Sequence, residues 1–148
     1  MNLEKDWQTL PAFSGGCQCG AVRYDVAPGP SFASICHCRM CQRATGSPFA
    51  ALLKVAADRV TWHGTPGVFA SSNIAERGFC RACGTPLFYR QAAREWIELT
   101  SGSIPPTVPF RPVQQWGIEG RHDWLAGLDI PGAPTVERDV ISHQSKDA

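Results

Sequence analysis

Cys80-Arg81-Ala82-Cys83-Gly84 is the stretch on which the fold turns, and Cys17-Gln18-Cys19-Gly20 is its counterpart near the start of the chain. Each has the form of a metal knuckle, a tight turn in which two sulfurs converge on one ion while backbone N–H groups point at them. Gly20 and Gly84 follow the second cysteine of each pair, where such a turn often requires the positive φ that glycine adopts without strain. Two knuckles far apart in sequence supply four thiolates, the complement of a closed tetrahedral structural zinc with Zn–S of about 2.3 Å. The expected ligands are Cys17, Cys19, Cys80 and Cys83. Such a site pins an N-terminal hairpin to the strand pair after Phe79, so its binding energy becomes part of the folding energy.

Cys36-His37-Cys38-Arg39-Met40-Cys41 holds the remaining three of the seven cysteines. Three protein ligands with the fourth position open is the arrangement of catalytic zinc. Three thiolates leave a divalent ion with a net negative charge, which weakens it as a Lewis acid but still admits an incoming thiolate. Arg39 and Arg43 flank the cluster; they offset that charge or hold a substrate carboxylate, unless they merely lie on a solvated surface. His37 is the obvious residue to close the site. In an extended segment, however, its side chain points away from those of its two cysteine neighbours. A hydrogen-bonding role behind the ligands, or plain exposure, competes with ligation.

An odd number of cysteines cannot pair off completely, and near neighbours at these spacings make strained disulfides. Metal binding in a reducing compartment is the better account. The chain of 148 residues fits a single domain, with a core over about 13–130 and loosely held residues before and after it. A net charge of +1 with no Lys/Arg block lacks the footprint of a nucleic-acid binder. The start, MNLEKDWQTLPAF, has no secretory apolar region, and no stretch approaches the roughly 20 apolar residues that span a bilayer. The expectation is a soluble cytoplasmic protein with no membrane or nucleic-acid partner; homo-oligomerisation stays open.

Helical periodicity is nearly absent, and twelve prolines and fourteen glycines punctuate short β-type runs. Strands are expected at 21–26, 32–36, 49–55, 59–62, 68–71, 75–79, 86–89, 96–100 and 113–118. Short helical turns are expected at 40–44 and near 122–126. The fold class is mainly β and antiparallel. Phe49, Trp62, Phe79, Phe88 and Trp96 fall on these strands and belong to the core, apart from one or two that can line the open site. His63 and His143 carry no expected role, whereas His122 and Asp123, beside Trp124, can approach a pocket. No G-x-S-x-G, P-loop or dinucleotide fingerprint appears.

The order Gly16-Cys17-Gln18-Cys19-Gly20, Cys36-His37-Cys38-x-x-Cys41-x-Arg43 with Gly46-Ser47, and Phe79-Cys80-x-x-Cys83-Gly84 resembles the glutathione-dependent formaldehyde-activating enzyme family, which includes centromere protein V. The resemblance runs over roughly residues 13–130, through Trp116-Gly117-Ile118 and Asp123-Trp124-Leu125. It implies a β-tent of small antiparallel sheets organised around a structural zinc, similar to a Rab-binding zinc chaperone. It also implies two Zn2+ per chain, divided as above: Cys17, Cys19, Cys80 and Cys83 on one, Cys36, Cys38 and Cys41 on the other. The activity it implies is a carbon–sulfur lyase reaction on S-hydroxymethylglutathione, the adduct of formaldehyde and glutathione. No residue set beyond the cysteines marks a grip on glutathione itself.

Three functions fit these features. The first is an enzyme whose open zinc, held by Cys36, Cys38 and Cys41, acts on a small thiol or carbonyl substrate. The second is a non-catalytic binding module with both zincs structural. The third is a sensor whose three-cysteine thiolates oxidise and release metal.

Overall fold

The computed structural model describes residues 6–135 and 139–146. Eleven short strands and one helix appear among them: β1 (Gln8–Leu10), β2 (Phe13–Gly16), β3 (Arg23–Val26), β4 (Gly29–Cys36), α1 (Arg39–Thr45), β5 (Ala50–Ala56), β6 (Val60–His63), β7 (Gly67–Ala70), β8 (Ala75–Phe79), β9 (Pro86–Gln91), β10 (Trp96–Thr100) and β11 (Gln114–Trp116). The nine expected strands are all present, with small shifts at their ends. The expected turn at 40–44 is α1, and the one near 122–126 is a 3-10 turn at Asp123–Gly127.

The larger sheet runs β1-β4-β5-β10-β9-β8-β7, with β11 added to β4. All its pairings are antiparallel except β11 on β4, which is parallel and aligns Trp116 with Cys36. The smaller sheet is β2-β3-β6. This is a mainly β architecture of antiparallel sheets. The N-terminal residues expected to be loose instead supply β1, which pairs with β4 and buries Leu10. Polar Gln8 and Thr9 hid this strand from a hydrophobicity reading. In the C-terminal tail, the Ser145 amide donates to the Gln18 carbonyl at 2.6 Å; residues 1–5, 136–138 and 147–148 of the expected loose ends lie outside the described residues.

Side chains alternate between the two faces of a strand, and here the two faces carry different structures. Ala33, Leu53, Val55, Ile97, Leu99 and Phe88 point one way and form the main core with Val22, Tyr24 and Val26 around the small sheet. Trp62 joins it edge-on to Tyr24 and tilted against Phe88. Cys17 and Cys80 belong to this core. The even-numbered residues of β5, Ala50 and Leu52, point the other way and pack with Cys36, Cys38 and Cys41 into a second, smaller core beneath α1. The two cysteine clusters therefore sit on opposite faces of one sheet.

Between Gly78 and Phe79 the β8–β9 register slips: Gly78 opposes Phe88 and Phe79 opposes Pro86. Leu87 is the extra residue and is fully buried. A bulge of this kind bends the strand and re-aims the residues beyond it, which here form the Cys80 knuckle. On the face under α1, a row of cross-strand partners runs Arg77, Tyr89, Glu98, Lys54, Phe32. Trp7 closes the far end against Phe32 and Trp96.

Candidate metal centres

Cys17, Cys19, Cys80 and Cys83 bring four sulfurs within 4.8 Å of one another. The Cys17–Cys19 and Cys19–Cys80 sulfur separations are 3.6 and 3.8 Å. A tetrahedron of sulfurs about 2.3 Å from a central ion has edges of about 3.8 Å, so these spacings fit an ion at the centre and are far too long for disulfides. The turn geometry is that of the expected knuckles: Gly20 and Gly84 have φ of 82° and 79°. The Val22 amide donates to Cys17 Sγ at 3.3 Å, and the Gly84 amide donates to the Cys80 carbonyl at 2.9 Å. Burial works to raise the Cys83 thiol, but hydrogen bonds to Thr85 and Cys19 outweigh it and bring Cys83 down to about 6.

Cys36, Cys38 and Cys41 form the second group, with their sulfurs also within 4.8 Å. Cys36 ends β4, Cys38 caps α1 and Cys41 lies in its first turn. The Cys41 amide donates to Cys38 Sγ at 3.4 Å, so the cap itself orients a candidate ligand. Among the described residues no further Cys, His, Asp or Glu joins this group. The hydrogen bond from Cys36, aided by the Arg77 guanidinium, holds the Cys41 thiol down to about 5 against the effect of burial; the same pairing, with burial, pushes Cys36 up. One thiolate is thus already favoured in this cluster, as metal ligation demands.

His37 is turned away from the sulfurs, as the alternation along an extended segment requires. It is neither a member of the cluster nor exposed: its ring is buried, Nε2 meets Gln115 Oε1 at 2.8 Å, and Phe49 packs against it edge-on. Its amide donates to the Trp116 carbonyl, so β11 seals the cluster from behind. There the chain passes so close that a Cβ on Gly117 (φ 59°) lies 2.8 Å from the Cys38 amide nitrogen.

Of the alternatives open for the flanking arginines, the surface position is the one found. Arg39 donates to Gln42 Oε1 rather than to a sulfur. Arg39 and Arg43 line a shallow cavity of about 260 Å³ outside α1 with His122 and Trp124. His122 stacks on Trp124 and reaches Gln42 Oε1 at 3.2 Å. The cation that touches the cluster is Arg77 of β8, whose Nη2 donates to Cys41 Sγ at 3.3 Å. Its Nε donates to Ser71 Oγ at 2.9 Å, and its guanidinium lies over the Tyr89 ring at 4.9 Å. Next in the row, Glu98 pairs with Lys54 at 3.2 Å; burial raises its carboxyl, and Lys54 opposes the rise.

Two residues that hold the site together escaped the sequence reading. Arg77 had one available signal, an arginine at the centre of a strand three residues before a knuckle. Gln42 had none. Its buried Nε2 donates to the carbonyls of His37 at 2.7 Å and Gly120 at 2.8 Å, tying α1 to both segments that flank it.

Two cavities lie near the clusters: Cys17 lines one, and the other approaches the three-cysteine group through Arg77 and Leu52. The larger, of about 580 Å³, runs past Gly15–Gln18, Thr45, Ser47, Thr85 and Thr100–Ser103, and none of its lining residues is charged. The smaller, of about 200 Å³, is walled by Leu52, Phe69, Phe79, Phe88 and Tyr89 around Arg77. They share Thr45, Pro86 and Thr100.

Residues 12–118 match the sequence model of a family described as glutathione-dependent formaldehyde-activating enzyme. An uncharacterised lyase of Schizosaccharomyces pombe is 35% identical over 80 residues, covering 54% of this chain. That match spans only 58% of the yeast protein's own length. A Halomonas elongata protein, provisionally named a glutathione-dependent formaldehyde-activating enzyme, is 29% identical over 124 residues, covering 75% of this chain and 78% of the relative. The crystal structure of a Rhodobacter sphaeroides protein superposes with a TM-score of 0.55 at 20% identity, covering 70% of this chain and 99% of the other. At that identity the likeness concerns the fold alone.

Proposed function

The chain belongs to the glutathione-dependent formaldehyde-activating enzyme family, and on that premise we propose that it is a zinc-dependent enzyme of the carbon–sulfur lyase type, acting on the adduct of a small thiol and a small carbonyl compound. Cys17, Cys19, Cys80 and Cys83 hold a structural zinc in this reading, and Cys36, Cys38 and Cys41 hold a reactive one. Soft thiolates at tetrahedral spacing favour zinc among the common divalent ions of a reducing cytoplasm. The observation that carries the reading is the three-sulfur group with no fourth protein ligand among the described residues and with His37 turned away.

In the direction of adduct formation a C–S bond forms between thiol and carbonyl carbon, and the thiol proton ends on the carbonyl oxygen. Cleavage runs the reverse. Zinc bound there supplies Lewis acidity and favours the thiolate form of a thiol. The chain's own residues do the remainder. Arg77 offsets the negative charge of three thiolates through Cys41. Gln42 and the Trp116 carbonyl fix the segment that carries Cys36, His37 and Cys38. Glutathione and formaldehyde, the pair in the family's description, are the first substrates to try.

The test is to follow adduct formation by NMR with zinc-loaded protein, formaldehyde and a panel of thiols that includes glutathione. Acceleration with at least one thiol, lost in Cys41→Ser, supports the reading. No acceleration with any of them overturns it and leaves the domain as a zinc-stabilised binding module.

A further inference from the structure

Arg77 is held on three sides, by Ser71 Oγ at Nε, by Cys41 Sγ at Nη2 and by the Tyr89 ring beneath its plane. Its remaining nitrogen, Nη1, makes no hydrogen bond among the described residues, and Arg77 lines the cavity of about 200 Å³. It is the only charged residue among those lining that cavity, and the other walls are largely aromatic or aliphatic. A guanidinium locked in this way loses little freedom when it binds an anion, and its planar fork matches a carboxylate. An apolar enclosure strengthens the contact further, because the local dielectric is low.

We propose that Arg77 is the specificity-determining residue of the site, selecting a small thiol or oxo acid whose carboxylate meets Nη1 while its short apolar body fills the cavity between Phe69, Phe79, Phe88 and Tyr89. The proposal rests on the reading of the three-cysteine group as a reactive thiol site. Size and chemistry both point to a compact acid. The cavity falls below the roughly 300–1,000 Å³ of sites for drug-sized ligands. Glutathione, with two carboxylates and an ammonium group, brings three charges to a cavity that offers one partner. The larger neighbouring cavity offers no charged partner at all. Arg77 thus serves two anions at once, the Cys41 sulfur and the ligand carboxylate.

The experiment uses the full chain loaded with Co2+, whose thiolate charge-transfer band reports the three-cysteine group when the same spectrum of Cys41→Ser is subtracted. The protein is titrated with 3-mercaptopropionate and with its methyl ester. The acid is expected to bind about tenfold more tightly than the ester, the range of one charge-assisted hydrogen bond. Arg77→Gln is expected to abolish that preference and to shift the band, because Cys41 Sγ loses its donor. Arg77→Lys, which keeps the charge without the fork, is expected to restore part of the preference and decides the matter if Arg77→Gln fails to fold. Equal binding of acid and ester to the wild type, or a preference that survives Arg77→Gln, overturns the proposal while leaving the enzyme reading intact. If neither compound nor glutathione perturbs the band, the enzyme reading itself falls and this proposal with it.

Discussion

Arg77 Nη2 lies 3.3 Å from Cys41 Sγ, joining the middle of β8 to the first turn of α1 across the face of the main sheet. The contact puts a permanent cation against a group of three thiols that carries a net negative charge once it holds a divalent ion. It also sets apart the surroundings of the two cysteine clusters. The four-cysteine group has turns and amide donors around it. The three-cysteine group has, in addition, a charged neighbour that itself lines an apolar cavity.

The two clusters are expected to respond differently to loss of one ligand. Cys80→Ser removes a sulfur buried in the main core and should unfold or strongly destabilise the domain, because structural metal sites contribute their binding energy to folding. Cys41→Ser should leave the domain folded with one metal per chain. Melting curves paired with metal analysis check both; identical melting of the two variants and the wild type is incompatible with this division.

Gln42 is expected to be worth more than its surface-like chemistry suggests. Gln42→Leu leaves the carbonyls of His37 and Gly120 without their donor, at a cost of about 1–3 kcal/mol. Denaturant unfolding measures the loss. Metal affinity should fall at the three-cysteine group and stay unchanged at the four-cysteine group.

Gly117→Ala should strain the same region from the other side. A φ of 59° costs an L-residue roughly 1–2 kcal/mol, and the added Cβ meets the Cys38 backbone. The expected outcome is a lower melting temperature and weaker metal retention at Cys36, Cys38 and Cys41 under chelator competition. Unaltered retention would show that the backbone there yields without disturbing the cap.

The half-buried carboxyl of Glu98 sets a pH dependence of definite sign. Burial raises its folded pKa above the unfolded value of about 4.3. Between those two values the folded state holds a proton that the unfolded state has lost, so stability falls as pH rises through the folded pKa. Glu98→Gln removes this contribution. The melting temperature of the wild type minus that of the variant should therefore decline from pH 4 upward; a rising difference would mean that the Lys54 partnership outweighs burial.

The cysteine spacings were legible because metal ligation imposes short, repeated intervals that no packing requirement imitates. Strands at 75–79 and 96–100 were legible from β-type runs between turn residues. β1 was not, since Gln8 and Thr9 are polar and the pairing with β4 is made by the backbone. The mates of the second cluster were hidden for a related reason. Arg39 and Arg43 are near the cysteines in sequence, but a helix carries their side chains to its outer surface. Arg77 is remote in sequence and is brought in only by sheet register. Pairing across strands is a property of the folded whole, and a single chain read in order does not display it.

β8 and the bulge after Gly78 give the two cysteine groups a shared mechanical element. Arg77 points to one side of the sheet and Cys80, an odd number of residues later, to the other, so a single short strand is held at its centre and just past its C-terminal end by different chemistry. On the proposed reading, loss of metal from the knuckles is expected to loosen the strand that carries the arginine, even while Cys36, Cys38 and Cys41 keep their own ion. On the proposed reading, filling of the four-cysteine site is thereby expected to be a precondition for a competent three-cysteine site. Under metal scarcity such a protein is expected to lose function abruptly, as a unit, and not in proportion to occupancy.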